Sequence, residues 1–157
     1  MDVLLERSEC RIRVLTKSAA VVQDFDLIEK HRYRVLVGLS LTAPPSKTQT
    51  IRIVEPHASS IQERIQALRK ARARNLRVYG MLCPCLPGIA DDKASLCEMA
   101  KTVLDLGAEE IWLEPVKHGA AVWPGQKRAF ARQEKPKWPT PSAEFAARTD
   151  GQSTRVD

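Results

Sequence analysis

Apolar residues along this chain change between two spacings, one suited to strands and one to helices. Residues 11–16, Arg-Ile-Arg-Val-Leu-Thr, are a β-branched-rich run. Residues 34–40, Arg-Val-Leu-Val-Gly-Leu-Ser, are more continuously apolar, as expected of a strand covered on both faces. Residues 77–82 and 110–113 complete four strand candidates. Between the first two, residues 24–31 predict a short helix that the chain leaves through Arg32 and Tyr33. After the second, Pro44, Pro45 and residues 52–55 read as a long loop.

The next helix is better marked. Ser60-Ile61-Gln62-Glu63 fits a capping box, in which Ser60 accepts from the Glu63 amide while Glu63 reaches back. Ile61, Ile65 and Leu68 follow at helical spacing, and Arg64, Arg69, Lys70, Arg72 and Arg74 take much of the remaining surface. Those charges read either as a solvated face or as a nucleic-acid contact. A last helix starts near Asp91 or Asp92, acids that suit its positive end, with Leu96, Ala100, Val103 and Leu104 as its apolar stripe and Gly107 as its carboxyl-terminal cap. Strands joined by helical crossovers argue for a parallel α/β sheet.

Composition limits what this sheet can be. At 157 residues the chain suits one domain and is too short for a complete eight-stranded barrel, which takes about 250 residues. Hydrophobic residues make up 43% of it, enough for a core. No apolar run approaches the ~20 residues that span a bilayer, and the start is too acidic for a signal peptide, so a cytoplasmic protein without a membrane span is expected. Of the formal charge of +6, residues 116–157 carry most, and they also hold Trp123, Phe130, Trp138 and Phe145. A boundary near Lys117 follows, with a body of residues 1–118 and a basic, proline- and aromatic-containing extension of residues 119–157.

Four cysteines, Cys10, Cys83, Cys85 and Cys97, form neither a disulfide scaffold nor paired CxxC motifs, and Cys83 and Cys85 alone fall short of a metal site. In parallel α/β proteins the ligand lies at the carboxyl ends of the strands. There the chain offers Thr16-Lys17-Ser18, Ser40-Leu41-Thr42, the turn from Cys83 through Pro84 to Gly88, and Glu114-Pro115. A cation, hydroxyls, an apolar turn and a carboxylate on one rim suit a zwitterionic ligand with a flat ring: Lys17 for a carboxylate, Ser40 for its polar end, the turn against a base. Each residue also has a plain structural reading, as a solvated lysine, a strand-end serine and an ordinary turn.

The motifs Leu15-Thr16-Lys17-Ser18, Val37-Gly38-Leu39-Ser40-Leu41-Thr42, Arg52-Ile53-Val54-Glu55-Pro56 followed by Arg64, and the segment 81–91 resemble the radical S-adenosylmethionine superfamily. The branch they look like is that of spore photoproduct lyase and related DNA-repair lyases, over residues 1–118. The resemblance implies a partial (β/α) TIM-type barrel with about four parallel strands, helices on the outer face, and S-adenosylmethionine on its rim. Lys17 and Ser40 match positions that hold the methionine part of that cofactor, and Cys83 and Pro84 a segment near the adenine. Glu55 and Arg64 match supporting positions, with an ion pair between them. The family's CxxxCxxC motif, which holds its iron-sulfur cluster, occurs nowhere in this chain.

Two functions are therefore expected from the sequence. One is the carboxyl-terminal portion of a radical S-adenosylmethionine enzyme, inactive alone and completed by a cluster-bearing polypeptide. The other is a non-catalytic module binding nucleic acid or protein through the Arg-rich helix and the tail, where Lys127, Arg128, Arg132, Lys135 and Lys137 stand among aromatics. An open part-barrel also leaves an edge and an apolar face to cover, by a homodimer or by the tail with Trp123 and Trp138 as plugs.

Overall fold

The computed structural model describes residues 2–115 and a short strand, Thr154–Val156. The expected boundary near Lys117 and the tail aromatics lie outside the described residues. Four parallel strands, β1 (Ile12–Thr16), β2 (Val35–Leu41), β3 (Arg77–Cys85) and β4 (Ile111–Pro115), lie side by side in chain order. A fifth, β5 (Thr154–Val156), pairs antiparallel with β4, Thr154 opposite Leu113. The helices are α1 (Asp2–Arg7), α2 (Phe25–Lys30), α3 (Thr48–Val54), α4 (Ile61–Ala73) and α5 (Lys93–Asp105). The sheet is the α/β arrangement expected from the alternating pattern. No described helix is long and apolar enough to cross a membrane.

Side chains of one parity in each strand face the crossover helices. Val35, Val37, Leu39 and Val78 form one core cluster with Phe25 and Ile28 of α2 and Ala67, Leu68 and Ala71 of α4. Leu41, Leu82 and Ile111 form a second with Ile51 of α3, Ile61 and Ile65 of α4, and Met99 and Val103 of α5. The helices that join the strands therefore pack on one face of the sheet. Along β2 every residue is buried, as its continuous apolar run predicts. Its second face is covered partly by Tyr79, whose ring occupies the space beside Gly38: a Cβ there would lie 2.3 Å from the ring.

The same second face is bridged from β1 to the start of β4. Arg13 of β1 donates from Nη2 to both carboxylate oxygens of Glu110, at 2.8 and 3.1 Å, just before β4. Its guanidinium carbon lies 5.5 Å from the ring centres of both Tyr79 and Trp112. Trp112 Nε1 donates to Glu110 as well, at 2.9 Å.

Helix α4 begins on the expected capping box. Ser60 Oγ accepts from the Glu63 amide, and Glu63 accepts in return from the Ser60 amide at 2.6 Å. Helix α5 begins on Asp92, whose carboxylate accepts from the Ser95 amide, and Gly107 follows the helix in the left-handed region with φ of 75°. Three expectations are corrected. The loop after β2 contains a 3-10 turn, Pro45–Lys47, and then α3, whose Ile51 is held in the core. Leu104 is 57% exposed, because Val103 beside it takes the place against the sheet at Gly80. Arg64 is buried, as described below. Helix α1, unmarked in the sequence, is anchored by Leu5, which is 1% exposed.

At Gly80 a Cβ would lie 2.6 Å from Val103 Cγ2, so α5 packs directly on the β3 backbone. Gly80→Ala is expected to cost about 1–3 kcal/mol through overpacking. Urea unfolding should show a lower midpoint at unchanged slope, and an unchanged midpoint would contradict this packing.

Candidate cofactor rim at the carboxyl ends of the strands

The rim is organised around Arg64. As the fourth residue after the Ser60 cap it lies on the same helical face as Ile61, Ile65 and Leu68, and is carried into the protein with them. Only 1% of the residue is exposed. Its guanidinium donates to the Ser59 carbonyl from Nε at 2.7 Å, to the Ser40 carbonyl from Nη1 at 2.8 Å, and to Glu55 Oε2 from Nη2 at 2.7 Å. Thr42 Oγ1 lies 3.4 Å from Nη1 and donates to Glu55 Oε2 at 3.0 Å.

Glu55 closes the end of α3 and faces two cations. Its Oε1 accepts from Lys17 Nζ at 2.6 Å, just past the end of β1. Burial pushes the Glu55 carboxyl upward, but hydrogen bonds from Lys17 and Arg64, with their charges, more than reverse this and hold it below its ordinary value. The loop that presents Lys17 is itself tied down. Ser18 N donates to Thr16 Oγ1 at 3.0 Å, Ser18 Oγ caps the following 3-10 turn, and Ala19 N donates to Ser59 Oγ at 2.9 Å. The side chain of Lys17 keeps 37% of its surface exposed, so the network ends in a cation that solvent can reach.

Ser40 stands on the second face of β2, one residue beyond the Thr16–Leu39 pair and opposite Met81 of β3. It is 6% exposed. The structure joins Lys17, Glu55 and Arg64 through side chains, and Ser40 through its backbone carbonyl. The Glu55–Arg64 ion pair is present, and Arg64 belongs to the buried network, not to the basic surface of α4.

Cys83 and Pro84 are placed differently from expectation. They lie within β3 and not in a turn, which begins only after Cys85. The register against β4 is irregular between Leu82 and Cys85, so a proline without an N–H is accommodated inside the strand. Cys83 Sγ donates to Glu114 Oε2 at 3.2 Å, one strand away on the same face. Cys85 points to the opposite face, 3% exposed. Burial first, and then Cys83 and Asp91, push its thiol up to about 12, so it is a protonated core residue. Among the described residues no hydrogen bond links Cys83 or Pro84 to the Lys17 network, and no three metal-ligating side chains gather. Cys10 and Cys97 are exposed and stand on other elements.

Thr42 is legible in the sequence as a strand-exit hydroxyl, whereas Ser59, which touches both Arg64 and the Lys17 loop, carries no signal of its own. The burial of Arg64 did carry one, since position 64 falls in the stripe of 61, 65 and 68.

Compared with known proteins, the chain is 28% identical over 104 residues to the uncharacterized protein ORF301 of Acidianus two-tailed virus. That match covers 64% of this chain and 34% of the viral protein, so the chain spans about a third of that relative's length. No protein family model matches the chain, and no solved structure does.

Removing Arg64 leaves the Glu55 carboxylate half-paired and takes a donor from the Ser40 and Ser59 carbonyls. Arg64→Leu is expected to lower stability by about 3–5 kcal/mol, and the Arg64→Leu/Glu55→Leu double variant to lose less than the two single losses combined. Strict additivity in urea unfolding would contradict the coupling. Because the folded-state value of Glu55 is depressed, its contribution is present above the ordinary value of 4.5 and is lost as pH falls through the folded value. Glu55→Gln should therefore flatten the acid limb of the stability curve below pH 4.5; an unaltered limb would count against it.

Proposed function

We propose that this chain forms part of a (β/α) barrel whose rim binds S-adenosylmethionine, and that it works as the carboxyl-terminal portion of a radical S-adenosylmethionine enzyme. The observation that carries this reading is the Lys17–Glu55–Arg64 chain, which holds one solvent-reachable cation at the carboxyl end of β1, beside Ser40. The barrel part of the reading is supported by two features. The crossover helices pack on a single face of the sheet, and the Arg13–Glu110 link spans from β1 to β4. Three strand spacings amount to about 14 Å in a flat sheet, so such a link favours a sheet curled toward the face that bears Lys17 and Ser40.

The residues present fit the polar end of the cofactor. Lys17 supplies a charge for a carboxylate and Ser40 a hydroxyl beside it, while Glu55 keeps the ammonium aimed at the rim. When bound with a reducing cluster, such a cofactor supplies a carbon radical for hydrogen abstraction. The described residues do not fit the cluster: Cys83 and Cys85 face opposite sides of β3, and Cys10 and Cys97 lie elsewhere. On this reading a separate cluster-bearing polypeptide completes the enzyme, and this chain contributes binding and orientation.

Calorimetric titration with S-adenosylmethionine is expected to show binding that Lys17→Ala weakens by about tenfold or more, the loss of one charge-assisted contact. Absence of binding, both alone and with a cluster-bearing partner supplied, would overturn the reading.

A further inference from the structure

Between α5 and β4, on the face of the sheet that carries the crossover helices, lies an apolar groove of about 330 Å³. Leu96, Ala100 and Leu104 of α5 form one wall, and Ile111 and Leu113 of β4 line the other side. Helix α5 sits over β3, with Val103 against Gly80, and among the described residues no helix follows β4 to roof it in turn. Leu104 is accordingly 57% exposed. The acids at the amino end of the groove are engaged elsewhere, Glu109 with Arg77 and Glu110 with Arg13. The groove therefore suits an apolar occupant without charge.

The chain itself borders this groove at both ends of one connection. Strand β4 ends at Pro115, and β5 begins at Thr154 opposite Leu113, so residues 116–153 leave and re-enter the sheet at the same end of β4. The longest unbroken apolar stretch of that connection is Ala120-Ala121-Val122-Trp123, bounded by Gly119 and Pro124. The apolar stretches around Phe130 and Phe145 are shorter and flanked on both sides by charge. Lengths agree as well. From Leu96 to Leu104 helix α5 rises about 12 Å, and four extended residues cover about 13 Å. Residues 116–119 give a reach of about 13 Å from the end of β4, enough to turn over the rim onto the helix side.

We propose that Ala120–Trp123 dock in the α5–β4 groove, with Trp123 as the anchor. The strip enters between Leu96 and Leu113 and carries Trp123 down to Leu104, whose exposed surface it covers. Removal of a large aromatic side chain and of these leucines from water drives the docking. The second face of the sheet is the poorer seat, because Cys83 and Glu114 make it polar beside the end of β4. Docking on the helix side leaves Lys17 and Ser40 open, so this inference is independent of what the rim binds.

Cys97 lines the groove and is exposed, which makes it a reporter. The test is time-resolved alkylation of the full chain, read at each cysteine by peptide mass spectrometry. Trp123→Ser is expected to speed alkylation of Cys97 by about fivefold or more, as the docked state is lost. Cys10, on another element, should keep its rate, and Cys85 should stay protected in the core, which shows that the variant is folded. Contact is read directly in a Cys10→Ser background carrying Trp123→Cys. A short bis-maleimide is expected to join position 123 to Cys97 within one chain, and to join Cys97 much less to Phe130→Cys or Phe145→Cys. An unchanged Cys97 rate with Cys85 protected would overturn the proposal. So would a cross-link that favours position 130 or 145, forms between chains, or fails at all three. If Trp123→Ser unmasks Cys85, the cross-link alone decides.

Discussion

A guanidinium with 1% of its residue surface exposed must find its acceptors inside the protein, and those of Arg64 come from three pieces of chain. The end of β2 supplies a carbonyl and the residue after it a hydroxyl. The end of α3 supplies a carboxylate and the lead-in to α4 another carbonyl. An unpaired charge at such depth costs several kcal/mol, so these segments cannot drift independently while Arg64 stays folded in. Helix α3 is only seven residues long and is marginal by its own propensity, which makes its last residue, Glu55, a tether for the whole connection from β2 to α4.

That constraint also shapes the rim. Glu55 divides its two oxygens between a buried cation and a half-exposed one, so the position of Lys17 at the mouth of the sheet is set from within the core. Ordinary surface lysines gain little from an ion pair, because the flexible stem and the solvent dissipate it. Here the acceptor is itself fixed by Arg64 and Thr42, and the loop of Lys17 is pinned by Ser59 and Ser18. The rim is therefore preorganised by protein contacts, a condition for binding a charged ligand without reordering cost.

Most of the elements, α1 and α3 excepted, and the parallel arrangement could be read from local rules. The capping box at Ser60, the Asp92 cap and the unbroken apolar run of β2 each act through neighbours a few residues away or through burial that hydrophobic content alone enforces. The rim was legible in part: Lys17, Ser40, Glu55 and Arg64 were each identified as rim or supporting residues, and the structure joins them. What escaped was placement. Arg64 shares its charge with the other basic residues of α4, although its position belongs to the apolar stripe. Cys83 and Pro84 share a Pro-Gly neighbourhood with the turn, although β3 continues through them with an irregular register.

By itself the sequence determined β1 to β4, α2, α4 and α5, because periodicity, caps and apolar content act over a few residues, whereas α1 and α3 are helices held by Leu5 and Ile51 in the core. It also determined which polar groups are available at the carboxyl ends of the strands. Only the tertiary structure decided that Arg64 is a core residue, that Cys83 and Cys85 face opposite sides of one strand, that Arg13 reaches Glu110 across the sheet, and that Leu104 is left at the surface. Each of these depends on partners distant in the chain, and a buried charge or an uncovered leucine acquires its meaning only when those partners are in place.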